Sequence, residues 1–173
     1  MRISSIIEVV EGELKNSPSI SFVYKIKTHI SKIHEGDLFI AKNKEDIPIA
    51  IKKGAFGIIY DFEIDILDKE IAWIQVENIK YAISKLIRFK LSNQDLKAFY
   101  CNKITFELLT LFVKYNDEKI KLISNNLDDE IELMESIENF DTILCQDKEI
   151  LNNIFPNNNN FNHTQYVVKN LVE

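Results

Sequence analysis

The sequence is poor in the residues that build long linkers, disulfide frameworks and membrane spans. Its 173 residues include four glycines, three prolines and two cysteines, so extended linkers have little room. The longest apolar stretch, Phe106–Val113, contains two polar residues and is far shorter than the roughly 20 residues of a transmembrane helix. The first residues combine one arginine with several acidic side chains, which is not the pattern of a signal peptide. We therefore expect a cytoplasmic protein without membrane insertion.

The two cysteines and three histidines show no metal-ligand spacing. Cys101 and Cys145 each end an apolar run, AFYC and TILC. If both runs are strands, the cysteines are expected to be small buried hydrophobic side chains in a reducing compartment, with a redox pair or metal ligation as the alternative. His29, His34 and His163 lie at no recognisable spacing from them. The sequence therefore predicts no metal site.

The net negative charge of the chain comes from its second half. The net charge is −6 overall, +1 for residues 1–92 and −7 for residues 93–173. An acidic surface repels nucleic acid, whose binding depends on cationic side chains, so no nucleic-acid partner is expected. Such a surface suits a basic protein partner, although acidic surfaces also serve solubility alone.

The first half of the chain alternates between helical and strand periodicity. The first helix is predicted to have Ser4 as its N-cap and to be terminated by Gly12. Trp73, Tyr60 and Phe62 are expected in the core of this α/β domain rather than at an interface. The predicted helices are Ser4–Val10, Glu45–Lys53 and Ile79–Leu91, and the predicted strands are Ser21–Ile26, Asp37–Ala41, Phe56–Tyr60 and Ile71–Val76.

Three strand–helix pairs follow, which is typical of βαβ units around a parallel sheet. We predict two domains, residues 1–92 and residues 93–173. A loop at Pro156–Asn160 and one more strand at Tyr166–Val172 complete the prediction. The paired elements are Lys97–Cys101 with Ile104–Tyr115, Lys119–Ser124 with Asp128–Ile137, and Thr142–Cys145 with Lys148–Phe155.

Four landmarks in order resemble the Mur ligases, which add amino acids to UDP-linked peptidoglycan precursors. An opening helix ends in GEL, Thr28–Ala41 reads THISKIHEGDLFIA where the family has a stretch like TDSRKIKPGDLFVAL, and Ala50–Ala55 reads AIKKGA before an apolar strand. Later, Asn126–Leu133 reads NLDDEIEL where the family has NLNNEIGLP. The likeness is nearest to the enzyme that adds D-Ala-D-Ala to the UDP-MurNAc-tripeptide. It implies an α/β fold, with a Mur-ligase-like N-terminal domain followed by a small, partly parallel βαβ domain.

The uridine-binding stretch of the family is altered. In the family, the Asp-Ser-Arg of TDSR helps to hold the uridine nucleotide, whereas Thr28 is followed here by His29, Ile30 and Ser31. A carboxylate is lost, and an arginine that can grip an anion through two nitrogens is replaced by a hydroxyl. We expect these four residues to be a vestigial UDP pocket.

The ATP loop of the family is altered as well. The family places a loop like TGSNGKTT between the first strand and helix of its central domain, where glycines let backbone N–H groups cradle phosphates. The same junction here reads CNKIT and has no glycine. Asn102, Lys103 and Thr105 are therefore expected to be vestigial phosphate-loop positions, and no cofactor is predicted. The one dense carboxylate cluster, Asp128–Glu130, occupies consecutive positions that cannot all face one metal ion from a helix.

These departures predict a pseudoenzyme: a non-catalytic Mur ligase paralogue that binds another protein in or near cytoplasmic peptidoglycan precursor synthesis. No catalytic residue is predicted. Two alternatives remain open. One is a sensor that binds a UDP-MurNAc-type precursor through Thr28, Ser31 and backbone groups. The other is a ligase subunit that is completed by another chain.

Overall fold

Contacts between Cα atoms divide the chain into two units, Met1–Leu86 and Ile87–Glu173. The computed structural model of the protein describes residues 1–92, 96–116 and 119–155. The boundary predicted at residues 92/93 lies a short distance after this division. The loop predicted at Pro156–Asn160 and the strand predicted at Tyr166–Val172 lie outside the described residues.

The first unit contains a five-stranded sheet in the order β1-β5-β4-β3-β2. Strands β2 to β5 run parallel, and β1 pairs antiparallel with β5 at the edge. Every residue of the two central strands β3 and β4 is buried, as expected for parallel strands that are covered on both faces. The strands are β1 Glu13–Leu14, β2 Ile26–Lys27, β3 Leu38–Ile40, β4 Gly57–Tyr60 and β5 Ala72–Gln75.

The first helix differs from the prediction at both ends. It begins at Ile3 after Arg2, whose backbone is held extended by a bridge to Phe22, so Ser4 is not its cap. It ends in the left-handed conformation of Glu11 (φ 52°), not of Gly12. Gly12 is instead needed for close approach, because a Cβ there would lie 2.7 Å from the Cγ2 atom of Ile74. The helices that begin in this unit are α1 Ile3–Val10, α2 Ile47–Lys52 and α3 Ile79–Leu91, of which α3 runs past the division, and a 3₁₀ turn covers Ile30–Lys32.

The strand predicted at Ser21–Ile26 is wrong over most of its length. Its first residues pair with the N-terminus, where Ile3 donates to the Ser21 carbonyl and Val23 donates to the Met1 carbonyl. Its later residues turn to other partners, and Tyr24 donates to the carbonyl of Gly36. Since the backbone changes partners halfway, no continuous ladder forms and only β2 remains as a strand.

In the described part of the second unit, three parallel strands form a sheet in the order β6-β8-β7. Each strand–helix pair predicted between Lys97 and Phe155 is present. No helix among the described residues combines the length and the apolar character that crossing a membrane requires. The elements are β6 Lys97–Tyr100, α4 Lys103–Asn116, β7 Ile120–Ile123, α5 Leu127–Ser136, a 3₁₀ turn Ile137–Asn139, β8 Thr142–Cys145 and α6 Lys148–Ile154.

Candidate functional site

The candidate phosphate site lies at one edge of the second sheet, namely the edge formed by the carboxyl ends of its parallel strands. Ligands of open α/β sheets bind outside these carboxyl ends, in the loops that lead into the following helices. The connection from β6 to α4 consists of Cys101 and Asn102 alone. Lys103 and Thr105, the other predicted loop positions, are already in the first turn of the helix. The junction is therefore a tight turn and not an extended loop.

The side chain of Asn102 caps α4. Its Oδ1 atom accepts the backbone N–H of Thr105 at 2.9 Å, and the backbone carbonyl of Asn102 accepts the N–H of Phe106 at 2.9 Å. The Thr105 side chain is buried, while the Lys103 ammonium is exposed and lies 3.9 Å from Glu107 on the next turn. Groups that would donate to a phosphate in a nest are thus used within the chain itself.

The other two helices at this edge are capped in the same way. Asn126 accepts the N–H of Asp128 at 3.0 Å at the start of α5. Asp147 accepts the N–H groups of Glu149 and Ile150 at 2.8 and 3.2 Å at the start of α6. Three capping side chains therefore occupy the helix N-termini that follow the three parallel strands, and one of them is a carboxylate.

Removing the Asn102 cap is expected to cost about 1 kcal/mol of folding free energy. The variant Asn102→Ala loses the acceptor for the Thr105 N–H, which should lower Tm by roughly 2–4 °C in thermal unfolding followed by circular dichroism. Asn102→Asp keeps an acceptor oxygen at the same position and should unfold within about 1 °C of the native protein. Equal losses in both variants would show that the side chain does not act as a cap.

The carboxylates of Asp128, Asp129 and Glu130 point to different surroundings. Asp128 is exposed, Asp129 is half-buried and accepts from both the backbone and the hydroxyl of Ser124, and Glu130 is fully buried. No group of three or more His, Cys, Asp and Glu side chains that could hold a metal ion is found among residues 1–92, 96–116 and 119–155.

Both cysteines are buried and free, which confirms the prediction that they act as small hydrophobic side chains. Tyr100 pairs with Cys145, so these two side chains point to the same face of the sheet. Cys101 is the next residue after Tyr100, and because side chains alternate along a strand it points to the opposite face from Cys145. Burial raises the pKa of the Cys101 thiol to about 11 and that of the Cys145 thiol to about 12. Both thiols are therefore protonated and unreactive at neutral pH.

The predicted uridine-binding residues form a closed turn after β2. Thr28 is buried, while His29 and Ser31 are exposed. Ile30 packs against the hydrophobic core, and its carbonyl accepts the Lys53 ammonium at 2.8 Å. Of the two substituted apolar and aromatic side chains, Ile30 therefore packs inward, whereas His29 is exposed.

The GDLF and GA landmarks meet in space and serve the fold. Gly36 and Gly54 both have positive φ angles, 88° and 86°, and the Gly36 N–H donates to the Gly54 carbonyl at 2.8 Å. Asp37 is buried and accepts the N–H of His34, while Leu38 and Phe39 form the buried strand β3. The residues that carry the sequence resemblance in these two landmarks are therefore turn and core residues that serve the fold.

A cavity that the sequence did not indicate lies beside α1. It measures about 790 Å³ and is lined by Ile3 and Ile7 of the helix and by residues from the segment 18–22. No spacing or motif marks these residues, because the cavity is made by residues 2–7, Leu14 and residues 18–22, which form no single local pattern. The lining is mostly apolar but includes Arg2, Ser4 and Ser21, and these polar residues alone do not assign a reaction to it.

Comparison with solved structures identifies the fold. The chain is similar to MurF from Acinetobacter baumannii (TM-score 0.58, 18% identity), and the match covers 83% of this chain and 35% of that one. It is similar to MurF ligase from Thermotoga maritima in complex with ADP (0.53, 20% identity, 71% of this chain and 31% of that one). A UDP-N-acetylmuramoyl-L-alanyl-D-glutamate–2,6-diaminopimelate ligase also matches (0.52, 14% identity, 89% and 38%).

The resemblance to the Mur ligases predicted from the sequence is thus confirmed for the fold. The chain spans about a third of the length of the solved structures it matches. No family model matches the chain, and no curated protein matches it.

Proposed function

We propose that this chain is a non-catalytic protein of Mur-ligase fold that acts by binding another protein in or near cytoplasmic peptidoglycan precursor synthesis. The observation that carries the proposal is the hydrogen bond from the Thr105 N–H to the Asn102 side chain. A phosphate-binding loop leaves such N–H groups free for its ligand and uses glycine to aim them. Here the junction has no glycine, and the Thr105 N–H is bonded to the Asn102 side chain instead of being free for a ligand.

The charge at this edge supports the same reading. A nucleotide phosphate would have to displace the Asn102 cap and approach Asp147 at the neighbouring helix start. The Lys103 ammonium is 79% exposed and lies 3.9 Å from the Glu107 carboxylate on the next turn of its own helix. Removing a cap and bringing two anions together both disfavour phosphate binding.

The turn at Thr28–Ser31 gives independent support. The Lys53 ammonium donates to the carbonyl of Ile30 in this turn, so this cation is engaged within the chain. Ile30 itself is part of the core packing. A precursor that took the place of Ile30 would have to break this core contact.

The proposed setting and mode of action come from the fold and the charge. The solved structures with this fold include ligases that are named for UDP-N-acetylmuramoyl peptides. The net charge of −7 in residues 93–173 would attract a basic surface on a partner protein. A protein partner therefore fits the chemistry of this chain better than a nucleotide does.

A thermal-shift titration with ATP, UDP and UDP-MurNAc-peptides at millimolar concentration tests the proposal. A ligand present at 100 times its dissociation constant adds about 2.7 kcal/mol, which would raise Tm by roughly 5–10 °C. We expect shifts below about 1 °C with each compound. A catalytic Mur ligase with an intact glycine loop, titrated in parallel, should shift with ATP and serves as the positive control.

Each contrary outcome of this titration has a distinct meaning. A shift with ATP would overturn the interpretation of the β6–α4 junction. A shift with the UDP compounds alone would replace the proposal by a precursor sensor. ATP turnover that arises only when another protein is added would indicate a ligase subunit completed by that protein.

A further inference from the structure

The cavity beside α1 has the size of a small-molecule site and lies within the first unit. It measures about 790 Å³, and the ligand pockets of proteins commonly measure roughly 300–1,000 Å³. The described residues that line it do not include the turn Thr28–Ser31. The cavity is therefore a different place from the altered uridine-binding stretch, and its occupant has to be inferred from its own lining.

Backbone pairing fixes the two segments that face each other across the cavity. The Ile3 N–H donates to the Ser21 carbonyl at 3.0 Å, and Arg2 forms an antiparallel bridge with Phe22. Helix α1 begins directly after Arg2, so the helix and the segment 18–22 are tied together at this point. The cavity is thus formed by the chain itself, as is usual for small-molecule sites.

The apolar part of the lining is only partly covered by the rest of the chain. Ile7, Leu14 and Ile20 are half-buried, and Phe22 is 46% exposed. Apolar surface that is gathered in a concavity gains free energy when an apolar ligand removes it from water. This part of the cavity is therefore suited to an aliphatic chain.

The charge of the lining comes from Arg2. This residue is exposed, and its guanidinium makes no hydrogen bond or ion pair within residues 1–92, 96–116 and 119–155. Ser4 and Ser21 add two exposed hydroxyl groups, and the described part of the lining contains no carboxylate. Because a guanidinium can bind a carboxylate through two parallel N–H groups, charge complementarity favours a ligand with one negative charge.

We propose that this cavity binds an amphiphilic anion, a molecule with one carboxylate group on an aliphatic chain. The carboxylate would pair with the Arg2 guanidinium and accept a hydrogen bond from the Ser4 or Ser21 hydroxyl, while the chain would cover Ile7 and Phe22. This inference goes beyond the proposed function. It rests on residues of the first unit and holds whether or not another protein also binds.

An NMR titration of the full chain with decanoate tests the proposal. The backbone amide resonances of residues 2–7 and 18–22 should shift and saturate, with a dissociation constant on the order of 1 mM. Decyltrimethylammonium, which carries a cation on the same chain, should bind there at least about tenfold more weakly. Unspecific adsorption to a protein of net charge −6 would favour the cation instead. No saturable shift with decanoate, or equal binding of the two probes at these residues, would overturn the proposal.

The two arginines of the chain provide a matched pair of variants. Arg2→Ala should raise the dissociation constant of decanoate about tenfold, and Arg2→Lys, which keeps the charge but not the paired N–H groups, should raise it less. Arg88→Ala removes the other arginine, which is exposed on α3, and should leave the affinity unchanged. Ser21→Phe should fill the cavity and weaken binding while Tm changes by less than about 2 °C, because Ser21 is exposed. Equal affinities of Arg2→Ala and Arg88→Ala would refute the pairing with Arg2 and, with it, the proposal.

Discussion

Replacing Trp73 with alanine should lower the free energy of unfolding by about 3–5 kcal/mol, the largest single effect expected in this protein. Trp73 is completely buried at the centre of the first unit. Its indole N–H donates to the Asp68 carbonyl at 2.6 Å, and its ring meets the Tyr60 ring edge to face at 5.8 Å. The substitution removes this burial, the hydrogen bond and the ring contact together.

Thermal unfolding followed by circular dichroism measures the effect, since the variant lacks the only tryptophan and cannot be followed by its fluorescence. Tm should fall by roughly 10 °C or more. Trp73→Phe is the control, because it keeps an aromatic ring but leaves the Asp68 carbonyl without its donor, and should cost about 1–3 kcal/mol. A loss below about 1 kcal/mol for the alanine variant would contradict the packing described here.

Replacing Asn16 with alanine should cost about 2–4 kcal/mol, although the residue lies in an irregular segment. Its amide extends the pairing between β1 and β5 beyond Leu14. The Asn16 Oδ1 atom accepts the backbone N–H of Trp73 at 3.0 Å. The Asn16 Nδ2 atom donates to the backbone carbonyls of Ile71 and Lys69 at 2.7 and 3.0 Å. One side chain thus substitutes for a stretch of edge strand, and its loss leaves a partly buried backbone N–H unsatisfied.

Urea unfolding at equilibrium measures this loss. Asn16→Asp keeps the acceptor for Trp73 but removes both donors and places a negative charge beside two carbonyl oxygens, so it should not restore stability. Asn125→Ala is the matched control, an exposed asparagine in the other unit that should change stability by less than about 0.5 kcal/mol. If Asn16→Asp is as stable as the native protein, the two donated hydrogen bonds are unimportant.

The elements with a strong apolar period were predicted well. Helix α3 has the predicted bounds, and strands β4 and β5 lie within the predicted runs. Their buried side chains, including Trp73, follow directly from local periodicity, because each residue's burial depends mainly on which face of its element it occupies. The prediction that Trp73 and Tyr60 lie in the core is confirmed.

The candidate site was predicted less completely. The sequence places Asn102 between β6 and α4 and shows that glycine is absent, but it does not show that the Asn102 side chain accepts the Thr105 N–H. Asparagine is common both in loops and at helix N-caps. Which of these two roles it takes depends on how short the connection between the strand and the helix is. Likewise, the chain alone does not reveal that Lys53 reaches back to Ile30.

The sequence is sufficient to predict the α/β pattern and the three strand–helix pairs, and it shows that the β6–α4 junction contains no glycine. These depend on residue type and local spacing. The tertiary structure decided that residues 21–26 divide their hydrogen bonds between Met1 and Gly36, that Asn16 completes the edge of β5, and that a cavity forms beside α1. Each of these depends on which distant segment satisfies a backbone group or covers a side chain, and local periodicity carries no information about a distant partner.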